Sequence, residues 1–130
     1  MGELYVPEGY TRVTPYLTVN DARYLLEFLV TVFEAQVIDR IEKPDGKLRH
    51  ASVRIGDSHI ELSDANDQWR PTPGALHIYV PDVDRTYQLA LEYGAQSLHE
   101  PERMDYGERT CAVEDLVGNT WYIATYIPVT

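Results

Sequence analysis

Two stretches of the sequence decide the fold: Thr14-Pro-Tyr-Leu-Thr-Val-Asn-Asp21 and Ala75-Leu-His-Ile-Tyr-Val-Pro-Asp82. Each reads as a short strand that runs into a side chain able to cap a helix N-terminus. The two stretches align at an offset of 61 residues, and Phe33-Glu-Ala-Gln36 recurs as Tyr93-Gly-Ala-Gln96 at an offset of 60. Two matches in the same order at nearly one offset indicate an internal duplication.

Each half is predicted to form a strand, a helix and three further strands. From Tyr24, apolar residues follow the i, i+3, i+4 spacing of an amphipathic helix, and Tyr87–Tyr93 repeats this pattern more weakly. Strand-like runs, joined by Gly-containing turns, then follow at Gln36–Glu42, Arg49–Ile55 and His59–Ser63, and at Gln96–His99, Arg109–Glu114 and Thr120–Ile127. We therefore predict a single domain over residues 1–130, with module one at about 10–66, a linker at about 67–74 and module two at about 75–127.

The predicted strands have one apolar face, which should meet the helices, and one polar face. The polar faces are rich in His, Tyr, Thr and Glu, whereas a plainly solvated sheet favours long charged side chains; this composition suits a wet, concave binding cavity. The candidate ligand-binding residues on these faces are Tyr16, His50, Arg54, His59, Glu61, His77, Tyr79 and Tyr122. Two alternatives stay open: the tyrosines could pack between sheets, and Glu61 could pair with Arg54 or with a neighbouring histidine.

Composition and charge exclude several classes of protein. The net charge of −10 has no compensating Lys/Arg cluster, so nucleic acid is not an expected partner. No apolar run is long enough to span a bilayer, and Met1-Gly2-Glu3-Leu4 has no signal-peptide character, so we expect a cytoplasmic protein without a membrane partner. The one cysteine, Cys111, excludes an internal disulfide, and its strand position predicts a buried, inert thiol. Trp121 is predicted to lie in the core.

The paired modules, together with Val19-Asn-Asp21, Phe33-Glu-Ala35 and the closing Asp115-Leu-Val-Gly-Asn-Thr-Trp121, resemble the vicinal-oxygen-chelate (VOC) superfamily of glyoxalases, bleomycin-resistance proteins and dioxygenases. Pro44–His50 and Tyr106-Gly-Glu-Arg109 resemble its PhnB-like branch. The resemblance implies an α+β fold, the glyoxalase/bleomycin-resistance fold, in which two βαβββ modules form a U-shaped cleft. It also implies a homodimer.

In metal-dependent members of the superfamily, four side chains from four strands hold a divalent ion. The resemblance places these ligand positions at Thr14, Glu61, Ala75 and Tyr122. Alanine has no donor atom, and Thr and neutral Tyr are weak ligands, so we expect no cofactor. Glu61 with His50 and His77 is the alternative ligand set, because these residue types suit a divalent metal and share the polar face.

The polar strand faces and the family resemblance predict two functions of different classes. The first is a non-catalytic protein that binds and sequesters a small organic molecule, as the bleomycin-resistance relatives do. The second is a lyase, isomerase or dioxygenase of the glyoxalase type, either metal-dependent or using Glu61 and His77 as its acid–base pair. A histidine is suited to that role because its ordinary pKa lies close to neutral pH.

Overall fold

The computed structural model of the protein describes residues 5–128. The expectation about a signal peptide rests on Met1–Leu4, which lie outside this range. The chain divides into two compact units: one contains the residues up to Val30 together with Glu34–Thr72, and the other contains Thr31–Phe33 together with the residues from Pro73 onward. None of the helices within residues 5–128 is long and apolar enough to cross a membrane.

The first module has the predicted βαβββ order. Its elements are β1 (Tyr16–Val19), α1 (Ala22–Phe33), β2 (Gln36–Glu42), β3 (Leu48–Ile55) and β4 (Ser58–Asp64). The four strands form one sheet in the order β1-β4-β3-β2. The pair β1 and β4 is parallel, whereas β3 pairs antiparallel with both β4 and β2. The helix thus crosses over between β1 and the rest of the sheet, as a parallel pair requires.

The second module repeats this topology. Its elements are β5 (Ala75–Tyr79), α2 (Val83–Glu92), β6 (Gln96–Met104), β7 (Glu108–Glu114) and β8 (Thr120–Tyr126), and its sheet has the order β5-β8-β7-β6. The predicted α+β fold with two βαβββ modules is therefore confirmed. Strand β6 extends five residues beyond its predicted end at His99, through Pro101, because it is an edge strand with register shifts and such strands tolerate a residue without an N–H.

The duplication extends to the register of the two sheets. Strand β2 has a register shift between Val37 and Asp39, and β6 has one between Ser97 and His99, at the same offset of 60. Both helices begin after an aspartate whose side chain accepts a backbone N–H: Asp21 from Tyr24 and Asp82 from Arg85. The offset matches of the sequence therefore correspond to equivalent positions in three dimensions, including the irregular ones.

The apolar faces of β1, β3, β4, β7 and β8 supply core residues, as the alternation predicts, whereas Leu76 and Ile78 of β5 are only half-buried. In the first module Leu17, Val19, Ala51, Val53, Ile60 and Leu62 are buried. In the second module Cys111, Val113, Trp121 and Ile123 are fully buried. Burial raises the pKa of the Cys111 thiol to about 12, which makes it the inert thiol that the sequence predicts.

The closing Asp115–Trp121 stretch is held together by hydrogen bonds to one buried carboxylate. The Asp115 side chain accepts hydrogen bonds from the backbone N–H groups of Val117 and Asn119, from the Asn119 amide and from the Trp121 indole. The side-chain oxygen Oδ1 of Asn119 accepts in turn from the backbone N–H of Gly74. These bonds fix the β7–β8 turn and the start of β5, which sets the register of the second sheet.

Candidate functional site

A row of side chains crosses the polar face of the first sheet. Register pairs Tyr16 with Glu61, Glu61 with Ser52, and Ser52 with Asp39, so that one residue from each of four strands lies at the same level. The register shift in β2 brings Asp39 into this row, because without it the period of two would place Ile38 and Arg40 on the polar face. His50, two residues from Ser52 on β3, projects to the same face.

The central feature of this row is a hydrogen bond between His50 and Glu61. His50 Nε2 lies 2.9 Å from Glu61 Oε1, and His50 Nδ1 lies 3.8 Å from Asp39 Oδ2. The two hydrogen-bonded side chains are about one quarter and one third exposed. The hydrogen bond to Glu61 on one side and the carboxylate of Asp39 on the other hold the imidazole in a fixed orientation. The Tyr16 ring lies 6.0 Å from the imidazole.

A cavity of about 630 Å³ opens above this row. His50, Glu61, Asp39 and Ser52 line it from the sheet, and residues from Tyr5 to Thr14, which precede β1, supply most of the remaining wall. Its volume lies within the range of about 300–1,000 Å³ that is typical of small-molecule sites. Aromatic, aliphatic and charged side chains all reach it, so it can contact both the apolar and the polar parts of a ligand.

Tyr10 is a cavity residue that was not among the predicted site residues. Its ring stacks on His59 with a centroid separation of 3.7 Å, and its hydroxyl lies 3.4 Å from Ser52 Oγ. Nothing in the local pattern around Tyr10 predicts a strand or a helix, so only its aromatic character could have indicated the role. Arg12 adds a positive charge to the same wall and lies 5.3 Å from the centroid of the Tyr5 ring.

Of the five candidate residues in the first module, the structure joins four around the cavity and its sheet. Glu61 and His50 share the hydrogen bond, Tyr16 lies beside His50, and His59 stacks on Tyr10. Arg54 is placed differently: its guanidinium donates to the Gln36 side chain on the neighbouring strand, and it is exposed. The partner of Glu61 is therefore His50, and the alternative pairing with Arg54 is not observed.

The remaining candidates lie on the polar face of the second sheet. Register pairs His77 with Tyr122, and the His77 and Tyr79 rings lie 4.8 Å apart. Tyr79 donates a hydrogen bond of 2.7 Å to Glu108, a carboxylate that was not among the predicted site residues. This bond, which ionisation of the phenol would remove, raises the pKa of Tyr79. Glu108 lies an even number of residues from Thr110 and Ala112 on β7, so strand alternation places all three on the same face. This alternation was the one feature of the sequence that could have indicated Glu108 as a site residue.

Equivalent positions in the two modules carry different chemistry. The row Tyr16–Glu61–Ser52–Asp39 corresponds, at offsets of 61 and 60, to His77, Tyr122, Ala112 and His99, which also pair across their strands. The second module therefore has no carboxylate where the first has Glu61. His99, which stands where the first module has Asp39, is exposed. Its Nδ1 atom lies 3.0 Å from the backbone carbonyl oxygen of Glu100.

The residues at the family's four metal-ligand positions do not fit a divalent ion. Ala75 has no donor atom, and Tyr122 and Thr14 would have to serve as weak neutral ligands beside Glu61. Of the alternative set, His50 and Glu61 lie together on the first sheet, and His77 lies on the second. Across residues 5–128, no group of three or more His, Cys, Asp or Glu side chains has a geometry that could hold a metal ion.

Comparison with known proteins agrees with this architecture. The uncharacterized protein Mb0911c of Mycobacterium bovis is 34% identical over 120 residues, which is 84% of this chain and 79% of that protein. The crystal structure of TioX from Micromonospora sp. ML1 has a TM-score of 0.74 at 21% identity, covering 90% of this chain and 99% of TioX. The structure of a protein from Bacillus cereus described as a putative 3-demethylubiquinone-9 3-methyltransferase, PhnB protein, has a TM-score of 0.73 at 14% identity, covering 88% of this chain and 99% of that one. The model of the Glyoxalase/Bleomycin resistance protein/Dioxygenase superfamily matches residues 10–123, and the chain belongs to that superfamily.

Proposed function

We propose that this protein binds a small organic molecule in the cavity of its first module and sequesters it without chemical change. The observation that carries this proposal is the His50–Glu61 hydrogen bond within a cavity of about 630 Å³. The pair presents an imidazole and a carboxylate in fixed positions, while Tyr10 and Ile38 offer apolar contacts. A few fixed polar groups in a mainly apolar pocket are the usual basis of small-molecule specificity.

The donor atoms of the site favour binding over metal-assisted chemistry. The ligand positions of the metal-dependent relatives are incomplete here, and the residues that replace them do not supply the missing donors. The family description itself includes bleomycin-resistance proteins alongside enzymes. We further propose that the protein belongs to the PhnB-like branch, acts as a homodimer in the cytoplasm, and uses neither a cofactor nor a nucleic-acid partner.

The test is a thermal-shift screen of small aromatic and heteroaromatic compounds, repeated in the presence of EDTA. A compound that binds the cavity should raise the melting temperature equally with and without the chelator. Its dissociation constant should then be measured by calorimetry for the wild type and for Glu61→Gln and His50→Gln. Because hydrogen bonds to charged groups contribute about 1.5–3 kcal/mol, each variant should weaken binding by about tenfold or more.

Two exposed residues outside the cavity provide matched controls. Glu27 on α1 and His99 on β6 are exposed, so Glu27→Gln and His99→Gln should bind the compound as the wild type does. Stabilisation that disappears with EDTA would contradict the proposal, and so would equal affinity in the cavity variants and the controls.

An acid–base enzyme is the second candidate function, and the contact between His50 and Glu61 is the observation that favours it. In this candidate, the Glu61 carboxylate removes a proton from a carbon next to a substrate carbonyl and returns it to a neighbouring atom, which isomerises the substrate. His50 orients Glu61 through this hydrogen bond. His77, the acid–base partner expected from the sequence, belongs to the second module and lies beside Glu108. Full turnover by Glu61→Gln on an identified substrate would exclude this mechanism.

A further inference from the structure

The second module contains a buried carboxylate that the proposed function does not use. Glu108, the first residue of β7, has a side chain only 10% exposed. One of its oxygens accepts the 2.7 Å hydrogen bond from the Tyr79 hydroxyl, and the other lies 3.8 Å from His77 Nε2. An ionised carboxylate can accept about four hydrogen bonds, so these contacts leave part of its capacity unused.

No Lys or Arg side chain within residues 5–128 forms an ion pair with Glu108. The nearest arginine in sequence, Arg109, projects to the opposite face of β7 and makes a bidentate pair with Asp84, with N–O distances of 2.8 and 2.9 Å. A buried carboxylate without a cationic partner is costly, and the cost falls when a positive group approaches it. The site therefore favours a ligand that brings a positive charge.

Two further tyrosines lie near this carboxylate, one across the sheet and one along the chain. Tyr126 lies directly opposite Glu108 in the register of β7 and β8, and Tyr106 precedes Glu108 by two residues. Both lie close enough to Tyr79 to contribute to the raised pKa of its phenol. Tyr79 pairs with Ala124 on β8, and its side chain reaches across that strand to Glu108 on β7.

These three tyrosines are exposed. Tyr79 is 61%, Tyr106 62% and Tyr126 64% exposed, so a ligand can reach them. The negative faces of aromatic rings attract organic cations, and quaternary ammonium groups in particular bind where several rings meet. The chain's net charge of −10 also favours the approach of a cation.

We propose that Glu108 and the tyrosines 79, 106 and 126 form a second binding site, which takes a small organic cation such as a quaternary ammonium group. The carboxylate supplies the opposite charge at the base of the site, and the rings supply cation–π contacts around it. All four residues of this site belong to the second module.

The test is a titration of the full-length, isotope-labelled protein with choline, followed by amide chemical shifts in NMR spectra. Choline should shift the resonances of β5, β7 and β8. The neutral compound of the same shape, 3,3-dimethylbutan-1-ol, should bind at least about tenfold more weakly because it lacks the charge. Glu108→Gln, which keeps an acceptor for Tyr79, should weaken choline binding by about tenfold or more, and Tyr106→Leu should weaken it severalfold.

The controls separate this site from a general effect of charge and from the first module. Glu114→Gln removes an exposed carboxylate at the other end of β7, and it should leave choline binding unchanged. His50→Gln should also leave it unchanged, even if that variant loses its cavity ligand. Equal binding of choline and the neutral alcohol would overturn the proposal, as would choline binding that survives Glu108→Gln. The absence of shifts in the second module, for example because another copy of the chain covers the tyrosines, would overturn it as well.

Discussion

Replacing Asp115 with alanine should destabilise the protein strongly. Its carboxylate accepts four hydrogen bonds of 2.8–3.0 Å, and three of the donors belong to Asn119 and Trp121, which are both fully buried. A buried donor left without an acceptor costs about 1–3 kcal/mol. Some water will enter the space left by the carboxylate, so we take the lower part of the sum and expect a loss of about 3–5 kcal/mol.

The free energy of unfolding should be measured by urea denaturation, followed by far-UV circular dichroism and by tryptophan fluorescence. Since small domains are stable by about 5–15 kcal/mol, this loss would be plain in the midpoint and could leave the variant partly unfolded without denaturant. Asp115→Asn keeps one acceptor but turns an amide N–H₂ toward the Asn119 and Trp121 donors, and should therefore fall between wild type and Asp115→Ala.

Asp67→Ala, at an exposed position, is the matched control and should change stability little. If Asp115→Ala lost less than about 1 kcal/mol with an unchanged denaturant slope, the reasoning would be wrong. Water would then satisfy the donors, and the closing motif would not hold the β7–β8 turn.

Three further predictions concern single residues. Glu34 ends α1 with a left-handed φ of 58°, where the second module has Gly94, so Glu34→Gly should raise the free energy of unfolding by about 0.5–1 kcal/mol in urea titrations. Gly94→Ala should lower the melting temperature, because the added Cβ would lie 2.7 Å from Leu116 Cδ1 at a φ of 90°. Burial raises the pKa of the Cys111 thiol to about 12, so the native protein should not react with a thiol reagent at pH 8, whereas the urea-unfolded chain should react at once.

The same shift in the pKa of Cys111 sets the sign of a pH effect. Below about pH 8.5, the ordinary pKa of a cysteine, the thiol is neutral in both states and contributes no pH dependence. Above it, the unfolded chain loses the proton while the folded chain keeps it up to about pH 12. The contribution of this group to stability should therefore fall as the pH rises through this window, and Cys111→Ala should remove that part of the fall.

Local sequence determined much of this protein. The duplication, the order of elements in each module and the buried faces of the strands all follow from short-range patterns, because periodicity and capping residues act over a few positions. The burial of Cys111 and Trp121 follows in the same way, from the parity of their strands. These features depend on residues that are close to one another along the chain, so they can be predicted from the sequence alone.

Tertiary structure alone decided the partners within the site. The alternation of side chains along a strand places His50, Arg54 and Glu61 on one face of the sheet but gives no distances between them. In the folded protein Glu61 pairs with His50, and Arg54 binds Gln36. The register shift in β2 moves Asp39 to this face, which a period of two does not predict. The cavity wall around Tyr10 and the burial of Glu108 likewise depend on strands and segments that meet only after folding, so no local pattern could specify them.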